Sequence, residues 1–145
     1  MLTCFGYFVY AYKMQCPYCS GQTQVTNSRS HNKSPLVWRR RQCKNCGSIW
    51  TTREYIDLST SHRVLNRHKH LQDFSRDILF LSIKDSLSHR KDAVRDAGAL
   101  TDTVLSRVLA QKQITIKTTT IIEVTREVLY RFDRTAAAVY RAKNL

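Results

Sequence analysis

The chain is short of acidic residues, of glycine and of long apolar runs. Asp and Glu number 11 against 24 Lys and Arg, a formal net charge of +13 over 145 residues. An excess of that size favours a polyanionic partner: nucleic acid, an anionic surface or nucleotide phosphates. With only 4 glycines there is no Gly-rich phosphate loop. No Ser or Cys nucleophile stands beside an evident base, which argues against an enzyme. No apolar run reaches the roughly 20 residues that a membrane-spanning helix needs. The uncharged opening stretch MLTCFGYFVYAY (residues 1–12) lacks the basic segment and small-residue cleavage site of a secretory signal. It reads as an N-terminal apolar extension, 1–13, with Met14 the expected start. Long polar low-complexity tracts and internal repeats are also missing. With 42% apolar residues, folded domains are expected rather than a disordered basic tail.

What is present is a cysteine pattern. Four of the five cysteines form two Cys-x-x-Cys pairs, Cys16-Pro-Tyr-Cys19 and Cys43-Lys-Asn-Cys46, with 23 residues between Cys19 and Cys43. In a chain this basic the spacing reads as a metal site rather than a disulfide framework, and reduced thiolates place the protein in the cytoplasm. Four thiolates suit Zn²⁺ in a tetrahedron with Zn–S near 2.3 Å. No coordination position stays open, so the metal is expected to be structural, tying two knuckles together where some forty residues cannot build an adequate core. Gly47 supplies the tight turn after the last ligand. Cys4 lies outside the pattern.

The arginines crowd the same region. Residues 14–54 carry seven basic side chains and one acidic one, net +6 in 41 residues, whereas 55–145 carry 16 and 10, also +6 but over 91 residues. Zn²⁺ with four thiolates sums to −2, and the basic residues exceed what neutralises it. In a strand 36-LVWRRRQC-43, alternation puts Arg39 and Arg41 on one face with Val37, and Arg40 on the other with Leu36 and Trp38. Arginine forks match phosphate oxygens and guanine edges. Arg29, Arg39, Arg40, Arg41, Lys44 and Arg53 are therefore the candidate DNA-binding residues, and Trp50 is expected in the ribbon core.

Beyond a boundary near DLSTS (57–61) the period changes. RVLNRHKHLQDF (63–74) suits a hairpin. Helical stripes follow: Phe74, Ile78, Leu81 or Ser82, Ile83 and Leu87; then Val104, Leu105, Val108 and Leu109; then Ile121, Thr125, Val128, Leu129 and Phe132. Asp73 or Ser75 is expected to cap the first helix and Asp133 a short last one. His62, His68 and His70 read as solvated hairpin residues rather than metal ligands, because no Cys or carboxylate stands at fitting spacing.

CPYC, VTNSR (25–29) and WRRRQCKNCGSIWTTRE (38–54) together resemble the zinc ribbon of the NrdR family, bacterial repressors of ribonucleotide reductase operons. The resemblance implies an α+β chain: a small β zinc ribbon at 14–56, then an ATP-cone at 62–145, a β-hairpin with a helical bundle that binds ATP or dATP. The family's hairpin pattern, V-x-K-R-x-G-x-x-E-x-F-x-x-x-K-L, is matched at Val64, Arg67, Phe74 and Leu79. It is departed from at Asn66, Lys69, Gln72 and Ile78. Carried over, the nucleotide candidates are Val64, Asn66, Arg67, Lys69 and Phe74. Two phosphate-meeting lysines are absent, each contact worth roughly 1.5–3 kcal/mol. The cone is expected to bind nucleotide weakly, or to serve only in homo-oligomerisation. The resemblance thus implies a DNA-binding repressor, with no membrane partner. The alternative is a zinc-ribbon nucleic-acid-binding or scaffold protein whose cone no longer binds nucleotide.

Overall fold

The computed structural model describes residues 14–30 and 36–144, so the expected extension at 1–13 lies outside the described residues. The described residues divide into two compact units, 14–30 with 37–54, and 36 with 55–144. The first is a three-stranded sheet in the order β1-β2-β3: β1 Thr23–Ser30, β2 Leu36–Cys43 and β3 Ile49–Tyr55. The arginine-rich strand β2 is central. It pairs antiparallel with β1, and Val25 faces Arg41 while Asn27 faces Arg40, so Thr26 is the extra residue of a β-bulge.

The second unit has a small sheet in the order β5-β4-β6 and four helices. β4 (Arg63–Leu65) and β5 (Leu71–Asp73) form the expected hairpin. β6 (Thr115–Lys117) joins parallel to β4. The sequence reading missed it because three residues carry no periodicity; its one inward side chain, Ile116, is buried. The helices are α1 Arg76–Ser86, α2 Ala93–Leu109, α3 Thr118–Phe132 and α4 Arg134–Lys143.

Ser75 caps α1, its hydroxyl accepting from the Ile78 N–H at 3.3 Å. The buried stripe of α1 is Leu79, Ile83 and Ser86, with Leu87 following; Ile78 is 70% exposed and Leu81 is exposed too. The expected stripe thus holds at Phe74, Ile83 and Leu87, while Leu79 takes the place of Ile78 and the polar Ser86 is buried as well. Its hydroxyl donates to the Ser82 carbonyl at 3.0 Å, which makes that burial cheap. α2 also begins well before its expected stripe. Its first half buries Ala97, Leu100 and Thr101, where a single large apolar residue gives a faint signal, and the Thr101 hydroxyl is satisfied by the Ala97 carbonyl at 2.7 Å. Phe132 of the expected α3 stripe is exposed.

Asp133 caps α4: its Oδ1 accepts from the Ala136 N–H at 3.0 Å. Oδ2 lies 3.0 Å from His89 Nε2 and 3.2 Å from Arg90 Nη1, so one carboxylate ties the α1–α2 connection to the α3–α4 junction. The Ala136 N–H, then His89 and Arg90, hold this carboxyl down to about 2. The core they enclose runs from Leu58 through Ile83, Val104 and Ile116 to Leu129 and Tyr140.

Candidate metal centre and nucleic-acid interface

The two cysteine knuckles are built alike. In each, the first Cys N–H donates to a carbonyl five residues on: Cys16 to Gly21 at 3.0 Å, and Cys43 to Ser48 at 2.9 Å. The residue after the second Cys closes the turn onto the first Cys carbonyl, Ser20 at 2.9 Å and Gly47 at 3.2 Å. Both closing residues take left-handed backbone, φ 54° and 72°, which glycine adopts freely and serine does not. The Asn45 and Cys46 N–H groups point at the Cys43 Sγ, at 3.3 and 3.4 Å, and the Tyr18 N–H points at the Cys16 Sγ at 3.5 Å.

The result is four sulfurs within 4.8 Å of one another: Cys16, Cys19, Cys43 and Cys46. Across the knuckles, Cys16 and Cys46 Sγ are 3.7 Å apart and Cys19 and Cys43 Sγ 3.5 Å apart. A tetrahedron with Zn–S near 2.3 Å places its sulfurs about 3.8 Å apart, so the donor set and spacing fit Zn²⁺. Without metal the sulfurs compete for protons. Ser48, by side chain and backbone, brings Cys46 down to about 6. Cys19 is lowered by the Gly21 N–H, yet its cysteine neighbours leave it raised to about 12. Loading the site displaces such protons.

β2 carries its arginines out from this centre on two unlike faces. Arg39 grips Glu54 with two bonds, Nε to Oε1 at 2.6 Å and Nη2 to Oε2 at 3.1 Å, and reaches Ser28 Oγ at 3.1 Å. The Arg39 guanidinium holds the Glu54 carboxyl below its ordinary range. Arg41 donates to Thr52 Oγ1 at 3.1 Å and lies 3.9 Å from the same Glu54. Arg39, Arg41, Thr52 and Glu54 therefore share one face, internally paired.

Alternation puts the neighbours of those residues on the other face: Arg40 in β2 and Arg53 in β3. Arg29 faces Trp38 across the β1–β2 ladder, and directly opposed residues project to the same side. Trp38 and Arg40 are two apart, so Arg29, Trp38, Arg40 and Arg53 form the second face. The three arginines there are exposed and make no side-chain ion pair among the described residues. Lys44 is exposed in the second knuckle, its N–H bonded to the Gln22 carbonyl at 2.9 Å. Trp50 is half-buried against Tyr18, edge to face with ring centroids 6.4 Å apart, rather than in a closed core. Sequence reasoning missed the quenching role of Glu54. The signal was present, since it is the only acidic residue of 14–54, but its partner depends on strand register.

Residues 14–54 match the family model described as "Transcriptional repressor NrdR-like, N-terminal domain". Over 133 residues the chain is 32% identical to the transcriptional repressor NrdR of Chlamydia felis, a match covering 88% of this chain and 86% of that one. It is 31% identical to the NrdR of Aromatoleum aromaticum over 133 residues, 88% of this chain and 77% of the relative. The chain belongs to the NrdR family of transcriptional repressors. A regulator, rather than an enzyme, is what those named relatives imply, and no helix among the described residues is long and apolar enough to cross a membrane.

The positions carried over from the NrdR hairpin separate into two groups. Val64 and Phe74 are buried and line a cavity of about 160 Å³ with Ile78, Ile121, Tyr140 and Asn144. Asn66, Arg67 and Lys69 belong to the hairpin turn instead. Asn66 Oδ1 accepts from the His68 and His70 N–H groups, both at 2.9 Å, and so shapes the turn. Lys69, where the NrdR pattern has glycine, sits at φ 63°. Arg67 donates to the Asn144 carbonyl at 3.0 Å, which links the turn to a cavity-lining residue. The turn holds His68 and His70 with ring centroids 6.5 Å apart, and they are exposed.

Proposed function

We propose that the chain is a zinc-dependent DNA-binding repressor of ribonucleotide reductase operons, acting in the cytoplasm as a homo-oligomer. The observation that carries DNA binding is the ribbon face of Arg29, Arg40 and Arg53 beside Trp38: exposed cations with no carboxylate partner among the described residues, on strands fixed by a metal site. Arg39 and Arg41 serve mainly to hold β2 to β3 through Glu54 and Thr52, and Lys44 contributes charge from the knuckle. One ribbon reads few base pairs, so two ribbons on paired half-sites are needed for specificity, and assembly becomes the control point.

In the helical unit the cavity at Val64 and Phe74 takes an adenine base. At about 160 Å³ it lies below the roughly 300–1,000 Å³ of complete small-molecule sites, so the phosphates lie outside it. Arg67 and Lys69 at the hairpin turn, with the donors of His68 and His70 beside them, stand in for the absent lysines at 66 and 78. Binding of ATP or dATP is then weaker than in an intact cone. A nucleotide changes DNA affinity only if it binds two assemblies unequally.

The test is a gel shift on the reductase promoter of the source organism with ATP, dATP or neither, against random DNA. A promoter-specific shift that responds to nucleotide is the expected result. Equal affinity for promoter and random DNA contradicts the repressor reading. A specific shift indifferent to nucleotide contradicts the nucleotide part alone and leaves the cone as an assembly module.

A further inference from the structure

An open groove of the helical unit runs between α3 and α4 and shares no lining residue with the Val64 and Phe74 cavity. These helices are joined through the single residue Asp133, and the groove between them has a volume of about 720 Å³. Its floor is alanine: Ala137, Ala138 and Ala142. Tyr130, 59% exposed, stands in it with the Arg134 guanidinium 5.4 Å from its ring centroid. Its rim carries both signs of charge. Arg126 and Arg141 are exposed and make no side-chain ion pair among the described residues, and Glu123 is in the same condition. Glu127 is engaged with Arg107 and Arg131.

We infer that this groove is the self-association surface of the chain, closed by the same face of a second copy. A two-fold contact brings a surface patch onto itself, so it needs complementary groups within one patch. Here they are: Glu123 one helical turn from Arg126 on α3, and Arg141 on α4, none of them ion-paired among the described residues. The alanine floor lets helices approach closely, and the exposed tyrosine is a rigid side chain suited to the centre of an interface. A second copy satisfies both signs of charge on the rim, whereas a nucleic-acid backbone leaves Glu123 facing phosphates. The inference rests on the homo-oligomer reading above and names the surface that reading requires.

Sedimentation velocity on the zinc-loaded full chain, over a wide concentration range, tests it. Ala138→Arg fills the floor at an exposed helical position and is expected to weaken self-association about tenfold or more, with an unchanged melting transition. Glu123→Arg and Arg126→Glu singly are expected to weaken it, and the two together to restore it, since the charge swap preserves complementarity between copies. A chain that stays monomeric throughout overturns both this surface and the homo-oligomer reading. Unchanged association in Ala138→Arg and in both single reversals overturns the surface only. So does a loss of DNA affinity in these variants with association intact, which would mark the groove as an anion surface.

Discussion

The ribbon buries two cysteines, Cys16 and Cys43, and one threonine, Thr23, while the helical unit buries an apolar cluster of seventeen side chains from Leu58 to Tyr140. Both units are small, yet only the second is held by hydrophobic burial. The first has no apolar interior among its described residues, and its order comes from four sulfurs, a strand ladder and the Arg39–Glu54 pair. The difference separates two kinds of fragility. A metal site is lost as a unit, when a ligand or the metal goes. A core weakens in proportion to what is removed. It also frees the ribbon surface: a sheet that needs no apolar face inward can present arginines on both faces, one paired and one open.

The sharpest way to break this comparison is to take the metal away. Chelation, or Cys43→Ser, is expected to unfold the ribbon outright, because apparent zinc-binding free energies of about 10–16 kcal/mol are folding energy in such domains. The helical unit should keep its own cooperative melting transition, read by circular dichroism, while the ribbon amides collapse in an NMR spectrum. Joint unfolding of both halves would contradict the separation. The converse variant, Leu129→Ala, removes a fully buried side chain and is expected to cost the helical transition about 2–5 kcal/mol with zinc affinity unchanged.

A smaller effect comes from Asp133. Its carboxyl is held at about 2 in the folded state against an ordinary 3.8, so its contribution is present above about pH 4 and is lost as pH falls toward 2. Asp133→Ala should cost about 1–2 kcal/mol at neutral pH, from the lost cap and ion pairs. The difference between variant and parent should shrink below pH 4 in acid-titrated melts. Least of all, Ser20→Gly and Lys69→Gly relieve left-handed backbone at one site in each unit. Each should stabilise its own unit by up to about 1 kcal/mol, offset in part by the freedom glycine adds to the unfolded chain.

How much of this was readable from residue order differs by region for the same physical reason. The metal ligands announce themselves because a knuckle needs its cysteines three apart and little else, so spacing alone brings Cys16, Cys19, Cys43 and Cys46 to one candidate site. The hairpin and the caps at Ser75 and Asp133 were local too. The α1 stripe was legible at Phe74, Ile83 and Leu87 but not at Ser86, because a buried serine, satisfied by its own helix, looks polar in sequence. β6 was invisible because its pairing with β4 is long-range. The division of the arginines was half readable: alternation along β2 separates Arg40 from Arg39 and Arg41. Only the register across β1 and the Glu54 contact from β3 show that Arg29 and Arg53 side with Arg40, and that the opposite face is quenched.

That division is the central claim, and the salt dependence of promoter binding tests it most directly. Each phosphate contact contributes about 0.9 to the slope of log affinity against log salt. Replacing Arg29, Arg40 and Arg53 together by alanine is expected to lower that slope by about 2 to 3, with the zinc site intact by metal analysis. Arg39→Ala should leave the slope nearly unchanged while lowering the stability of the ribbon. The opposite pattern, a slope unmoved by the triple variant and reduced by Arg39→Ala, would place DNA on the paired face and contradict the account.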